Sequence, residues 1–158
     1  LVWYAVQEKN KGGSIEAVRD WAEAHKLNLC HWFTVDDLHF LKRGGRGSAA
    51  TAVVGSMLQI KPVLHVDNEG HLINMGKARG RHASLTALVD HMEQTAIDPG
   101  AQTVFISHGD CLEEAERVAD DVRKRFGVKE IIINNVGPVI GAHSGPGTMA
   151  LFFMGRER

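Results

Sequence analysis

The segment from Thr103 to Val136 limits the possible folds more than any other. Thr103-Val-Phe-Ile-Ser107 is a short apolar run of the kind that forms a buried strand, and Lys129 to Val136 is a second one. Between them Leu112, Ala115, Ala119, Val122 and Phe126 recur at helical spacing. Asp110-Cys-Leu-Glu113 has the form of a capping box, and Gly127 stands where a C-terminal cap belongs. Upstream, Pro62–Val66 and His71–Met75 flank Asp67-Asn-Glu-Gly70, a hairpin with a short turn. A strand–helix–strand unit and a hairpin in one chain favour a mixed sheet over a fully parallel one. The fold class expected is therefore α/β, a two-layer sandwich of a mixed β-sheet and helices.

The remaining elements follow the same logic. Leu1 to Val6 reads as the end of an earlier element, and Gly12-Gly13 as a break. Ser14 then caps a helix with Ile15, Val18 and Ala22 on its buried face. Leu29–Phe33 reads as a strand. Thr34-Val-Asp-Asp37 is a second capping box, opening a short helix that buries Leu38 and Leu41 and stops at Gly44-Gly45. A helix is expected from Ser48, with Val53, Val54, Met57 and Leu58 at helical spacing, ending before Pro62. Leu85, Leu88, Val89 and Met92 mark another helix, Asp98-Pro-Gly100 a turn, and Thr148–Met154 the last strand. No linker, repeat or low-complexity tract divides residues 1–158, so one domain is expected.

The 158 residues carry 18 lysines and arginines against 19 acids, a net charge of −1, which gives no electrostatic case for nucleic acid or an anionic membrane. No apolar run has the length of a membrane span, and the N-terminus lacks the pattern of a signal peptide. It also lacks methionine, so the chain is expected to open in mid-protein. Cys30 and Cys111 are read as reduced thiols, and the expected location is cytoplasmic.

Three stretches could carry chemistry. Gly137-Pro-Val-Ile-Gly-Ala-His-Ser-Gly-Pro-Gly147 reads as a shaped loop between two buried strands, with His143 and Ser144 at its centre. It is either a ligand seat or a connection that needs tight turns. Leu41-Lys-Arg-Gly-Gly-Arg-Gly47 places Arg43 and Arg46 at a helix start. That suits an anion, or makes a plain basic turn, and it is not a P-loop. Lys77-Ala-Arg-Gly-Arg-His82 is a dense positive cluster, either solvated surface or a docking patch. His108-Gly-Asp-Cys111 lacks partners at zinc spacings, so no metal is expected. Ser144 beside His143 lacks a nucleophile-elbow pattern, so no catalytic residue is assigned.

Phe33-Thr-Val-Asp-Asp-Leu38 with Leu41-Lys-Arg-Gly-Gly-Arg46, Ile60-Lys-Pro62 with Lys77-Ala-Arg-Gly80, and Gly141-Ala-His-Ser-Gly-Pro-Gly147 together resemble the DegV family of bacterial fatty-acid-binding proteins. The resemblance covers nearly the whole chain but only the C-terminal half, or slightly more, of such proteins. It implies that residues 1–158 are the C-terminal lipid-binding domain of a two-domain protein whose N-terminal domain is absent from this chain. Family members hold a long-chain fatty acid in an apolar tunnel between two domains and present its carboxylate to a separate fatty acid kinase. They carry no cofactor and do no chemistry themselves. By position, His143 matches the histidine near the carboxylate. Arg46, or else Arg43, matches the supporting arginine, with Ser144, Gly141 and Gly145 in the same ligand-binding loop. Lys77, Arg79 and Arg81 match a kinase-docking surface, with His82 departing from the usual basic residue. The alternatives are a small-molecule hydrolase or phosphotransferase using His143, and a regulatory module that senses an anion.

Overall fold

In the computed structural model, which describes residues 1–46 and 59–158, six strands form one sheet. In chain order the elements are α1 (Val2–Asn10), α2 (Ile15–His25), β1 (Leu29–Thr34), α3 (Leu38–Arg43), β2 (Ile60–Val66) and β3 (Leu72–Arg79). There follow α4 (Arg81–Thr95), β4 (Thr103–His108), α5 (Leu112–Phe126), β5 (Glu130–Asn135), α6 (Pro138–Ser144) and β6 (Met149–Met154). The helix expected from Ser48 lies outside the described residues. The strand order is β3-β2-β1-β6-β4-β5. Only β4 and β5, joined through α5, run parallel, and the other neighbours are antiparallel. The expected mixed sheet and two-layer α/β class are therefore what the chain adopts. No helix among the described residues is long and apolar enough to cross a membrane.

Side chains alternate across a strand, so each strand divides its residues between two faces. On one face Cys30, Trp32, Val104, Ile106, Leu151 and Phe153 are buried against α4 and α5. These helices contribute Leu88, Val89 and Met92, and Ala115, Val118, Ala119 and Val122. Arg125 of α5 ties the two helices together through Asp90 (2.7 Å) and Glu93 (2.5 Å) of α4. The described residues cover the opposite face only in part. At one end α1 lies over β4: the Tyr4 hydroxyl donates to the Thr103 carbonyl and accepts from its N–H, and Trp3 meets Phe105 edge-on. At the other end sit α3 and α6, which pack against each other.

Local chemistry departs from expectation at several boundaries. Ser14 caps α2 as expected, accepting from the Ala17 N–H, but no residue of α2 is buried and Ile15 is 81% exposed. The reason is that α2 rests on α1 through Trp21 and Tyr4, outside the core. Thr34 is not a cap. It is fully buried as the last residue of β1, paired with Met149, and Asp37 caps α3 by accepting the His39 N–H at 2.8 Å. Nor does Asp110 cap α5. The Cys111 N–H at that helix start donates to the His108 imidazole Nδ1 at 3.2 Å, which gives this histidine a structural task. Val118 belongs to the buried stripe of α5, whereas Leu112 is 51% exposed at its first turn. Residues 138–144, read as loop, are helical. Pro138 occupies the first turn, where its fixed φ suits a helix and its missing N–H costs nothing.

Gly145 ends α6 at φ 80°, ψ 175°, a region essentially restricted to glycine, and an added Cβ would lie 2.5 Å from the Phe40 ring of α3. Gly145→Ala is expected to destabilise the fold by about 1–3 kcal/mol. Gly141→Ala, where the new Cβ meets only Val136 at an ordinary 3.6 Å, is expected to leave stability unchanged or slightly raised. Urea midpoints of the two variants check this pair.

Trp32 is stacked between His91 (3.6 Å between centroids) and His65 (5.2 Å). Burial holds both imidazoles below their ordinary value, against the opposing pull of Asp90 on His91 and of Asp67 on His65. The unfolded chain therefore takes up these protons first as pH falls below the ordinary imidazole value of about 6.5. Stability is expected to decline from pH 7 towards pH 5, read as a falling urea midpoint. His91→Phe keeps a stacked ring without a titrating group, so it is expected to make that decline shallower.

Candidate functional site

The part of the sheet that the described residues leave uncovered, between α1 at one end and α3 and α6 at the other, is the floor of a cleft of about 660 Å³. Strand alternation decides what lines it. Cys30 and Trp32 point to the core, so His31 and Phe33 point to the cleft, and their antiparallel partners Phe152 and Ala150 do the same. Ser107 of β4 joins them, and Val66, His71 and Leu72 of the β2–β3 hairpin form one side. Ile140, His143 and Ser144 of α6 close one end beside Gly45 and Arg46. Phe33, Ala150 and Phe152 give the floor its apolar surface, interrupted by His31 and Ser107, while Arg46, His143 and Ser144 gather at the α3–α6 end.

His143 sits in the last turn of α6. Its ring presses against Gly44, where an added Cβ would lie 2.4 Å from Nδ1, so only glycine leaves room for the imidazole there. Nδ1 is buried and has no hydrogen-bond partner among the described residues. Ser144 lines the same end, but its hydroxyl donates to the Ile140 carbonyl one turn back at 2.8 Å. That bond commits the proton locally, and the oxygen retains acceptor capacity. Arg46 lines the cleft and remains exposed, its Nη1 donating to the Gly44 carbonyl at 2.6 Å. Arg43 does not line it. Its guanidinium lies 4.6 Å from the centre of the Phe40 ring, a cation–π contact. Gly141 and Gly145 do not line it either. Gly145 acts through the backbone, by letting α3 and α6 approach.

The chain thus brings His143, Ser144 and Arg46 to one pole of an apolar trough. The C-terminal end of a helix carries partial negative charge, so α6 by itself repels an anion. Arg46 is the cation among the lining residues that can offset this, and its planar fork matches a carboxylate.

The three docking residues are distributed differently. Lys77 and Arg79 alternate as exposed side chains along β3, at the edge of the sheet. Arg81 opens α4 and turns inward, with Nε and Nη2 donating to Glu114 of α5 at 2.9 and 2.6 Å. Cys30 and Cys111 are free thiols.

Sequence reasoning missed His31. Burial pushes its imidazole down to about 4, with the Arg158 guanidinium acting in the same direction. Its Nδ1 is buried without a partner among the described residues. The alternation of Leu29-Cys-His-Trp-Phe33 was the available signal, since it places His31 on the face of Phe33 and not of Trp32.

A family model described as "Uncharacterised protein, DegV family" matches residues 1–156. The chain is 49% identical over 155 residues to a DegV domain-containing protein of Clostridium perfringens, covering 98% of this chain and 53% of that protein. A Thermus thermophilus DegV family protein, described for its fatty acid binding, superposes with a TM-score of 0.83 at 29% identity, over 98% of this chain and 55% of that one. The Streptococcus pneumoniae Fatty Acid Kinase (Fak) B3 protein loaded with linoleic acid superposes with a TM-score of 0.85 at 19% identity, over 97% and 54%, a likeness of fold. The chain spans about half the length of the curated relatives it matches. With the family model covering all but its last two residues, the chain belongs to the DegV family.

Proposed function

We propose that this cleft binds a long-chain fatty acid, with the carboxylate at the Arg46–His143–Ser144 pole and the acyl chain along the sheet. The observation that carries the reading is the apolar surface of Phe33, Ala150 and Phe152 along the floor with the one arginine among the described lining residues and the His143 imidazole at one end, His31 being a polar exception on the floor. A desolvated carboxylate needs hydrogen bonds and a counter-charge, while its tail gains about 0.8 kcal/mol per buried methylene. Membership of the DegV family supports the reading, as does the fatty acid binding described for the Thermus relative.

Among the described residues, one open side of the cleft exposes Ile140 at 58%, beside Val139 at 70%. We assign the cover over this side to a second domain, with residues 1–158 as the C-terminal partner and the tunnel between the two. In this reading the bound acid is handed to a fatty acid kinase. The fold shared with the linoleate-loaded Fatty Acid Kinase B3 protein supports that partner. The protein itself then acts as a carrier, in the cytoplasm.

Titration of the full-length protein with oleic acid below its micelle concentration tests the ligand. Binding is expected, and Arg46→Ala is expected to weaken it, by about 2–5 kcal/mol if the second domain buries the pair of guanidinium and carboxylate. Unchanged affinity would take Arg46 out of the site. Turnover of a small-molecule ester or phosphate without any partner would favour the enzyme reading instead.

The docking surface is tested through Lys77 and Arg79, because reversing Arg81 would also break its pair with Glu114. Lys77→Glu with Arg79→Glu is expected to slow kinase-coupled phosphorylation of the acid and leave its affinity unchanged. Normal coupling in that double variant would make this edge ordinary solvated surface.

A further inference from the structure

Three close contacts set how α3 lies against α6 and the turn that follows it, and at each a glycine leaves room for a side chain. An added Cβ at Gly44 would run into the His143 ring. At Gly145 it would lie 2.5 Å from the Phe40 ring, and at Gly147 2.5 Å from the Cβ of Asp36. The contacts climb in step, through residues 36, 40 and 44 on one side and 147, 145 and 143 on the other. A spacing of four is that of neighbours on one helix face, so the three contacts form a single seam.

The end of this seam away from the imidazole is held by a lysine. Phe33 of β1 pairs with Leu64 of β2, and Thr34 of β1 pairs with Met149 of β6. Continued past the end of β1, both registers lead to Asp36, with Lys61 on one side and Gly147 on the other. The Lys61 ammonium donates to the Asp36 carboxylate at 2.5 Å and to the Asp36 carbonyl at 2.8 Å. It thus holds both side chain and backbone where β1 gives way to α3. Lys61 is 18% exposed and Asp36 53%, so the carboxylate keeps access to water. A pair of this kind adds little to stability, and what it supplies is position. Neither residue belongs to the described lining of the cleft.

We propose that Lys61 is a positioning residue for the anion pole: through Asp36 it fixes the seating of α3 against the α6 turn, and so the placement of the Arg46 guanidinium relative to the His143 imidazole. Arg46 follows α3, because its N–H donates to the Leu41 carbonyl at 2.8 Å and its guanidinium to the Gly44 carbonyl at 2.6 Å. His143 belongs to α6. Without Lys61, Asp36 turns to water and one end of the seam is released. The floor under an acyl tail is set by the β1–β6 ladder, which does not involve Lys61. Loss of Lys61 therefore disturbs recognition of the head group and spares that of the tail.

This inference rests on the fatty acid reading of the cleft, and the test separates the two. Oleic acid and oleyl alcohol share a tail and differ in the head group. Both are titrated against the full-length protein and its Lys61→Met, Lys61→Arg and Asp36→Asn variants, with urea midpoints alongside. The unaltered protein is expected to bind both and to prefer the acid. Lys61→Met keeps the apolar stem, and is expected to lower affinity for the acid about threefold to tenfold, the worth of one hydrogen bond. Affinity for the alcohol and the urea midpoint are expected to stay nearly unchanged. Lys61→Arg, which keeps a donor, is expected to restore most of the loss. Asp36→Asn keeps the shape against Gly147 and is expected to show a smaller loss of the same selective kind, which tests the pair should Lys61→Met fail to fold. Unchanged acid affinity in both Lys61→Met and Asp36→Asn, or an equal loss for acid and alcohol, would overturn the positioning role and leave the fatty acid reading intact. An unaltered protein that binds neither ligand would overturn both.

Discussion

The alternation of side chains along the paired central strands β1 and β6 is the constraint on which the rest depends. Each residue sent into the core fixes its neighbours in the cleft. Trp32 and Leu151, directly paired, go to the helices, so His31, Phe33, Ala150 and Phe152 must line the other face. A one-residue slip of this register would place Trp32 in the cleft and His31 in the core, where it would lack partners. The core and the candidate site are thus two readings of one hydrogen-bonded ladder. Substitutions at buried positions on these strands act on the cleft through register as well as through packing.

The second dependence is the close approach of α3 and α6. Two glycines permit it, Gly44 under the His143 ring and Gly145 under the Phe40 ring. The contact is reciprocal, since each helix supplies the space that the aromatic ring of the other needs. It converts two stretches separated by about a hundred residues of chain into one polar pole, with Arg46 leaving α3 and His143 finishing α6. The backbone that only glycine adopts readily at Gly145 holds the contact that seats the imidazole, so stability and the geometry of this pole are coupled.

The sequence carried the element types and the hairpin, because these rest on local periodicity and turn chemistry, as in Leu85–Met92 and Asp67–Gly70. It carried less of what depends on tertiary neighbours. Glycine content suggested a loop at 137–147, but Pro138 in a first turn is as good a helix start as a loop constraint. Thr34 and Asp110 matched capping boxes, yet strand pairing kept Thr34 in β1, and at the start of α5 the Cys111 N–H donates to His108 with no cap from Asp110. The two arginines at 43 and 46 were indistinguishable by motif. Only the turn after α3, which sends one along Phe40 and the other into the cleft, separates them. His31 was hidden for a different reason: in a strand of mixed burial an isolated histidine gives no motif, and only the alternation along β1 places it on the cleft face.

The basic cluster at 77–82 shows how one run of charge can be divided by secondary structure. Lys77 and Arg79 share the exposed face of an edge strand, spaced by the strand's period of two. The break at Gly80 starts α4, and Arg81 on its first turn faces Glu114 across to α5. Its ion pair is partly buried, with a side-chain exposure of 18%, and it joins two of the helices that back the sheet. Removing Glu114 alone would leave the guanidinium partly buried and unpaired, a costlier change than removing both partners together. Arg81 therefore belongs to the folding of the α4–α5 layer. The strand-borne pair, which has no such obligation among the described residues, is the part of the cluster free to meet a partner. Charge density in sequence overstates such a surface by the residues that the fold turns inward.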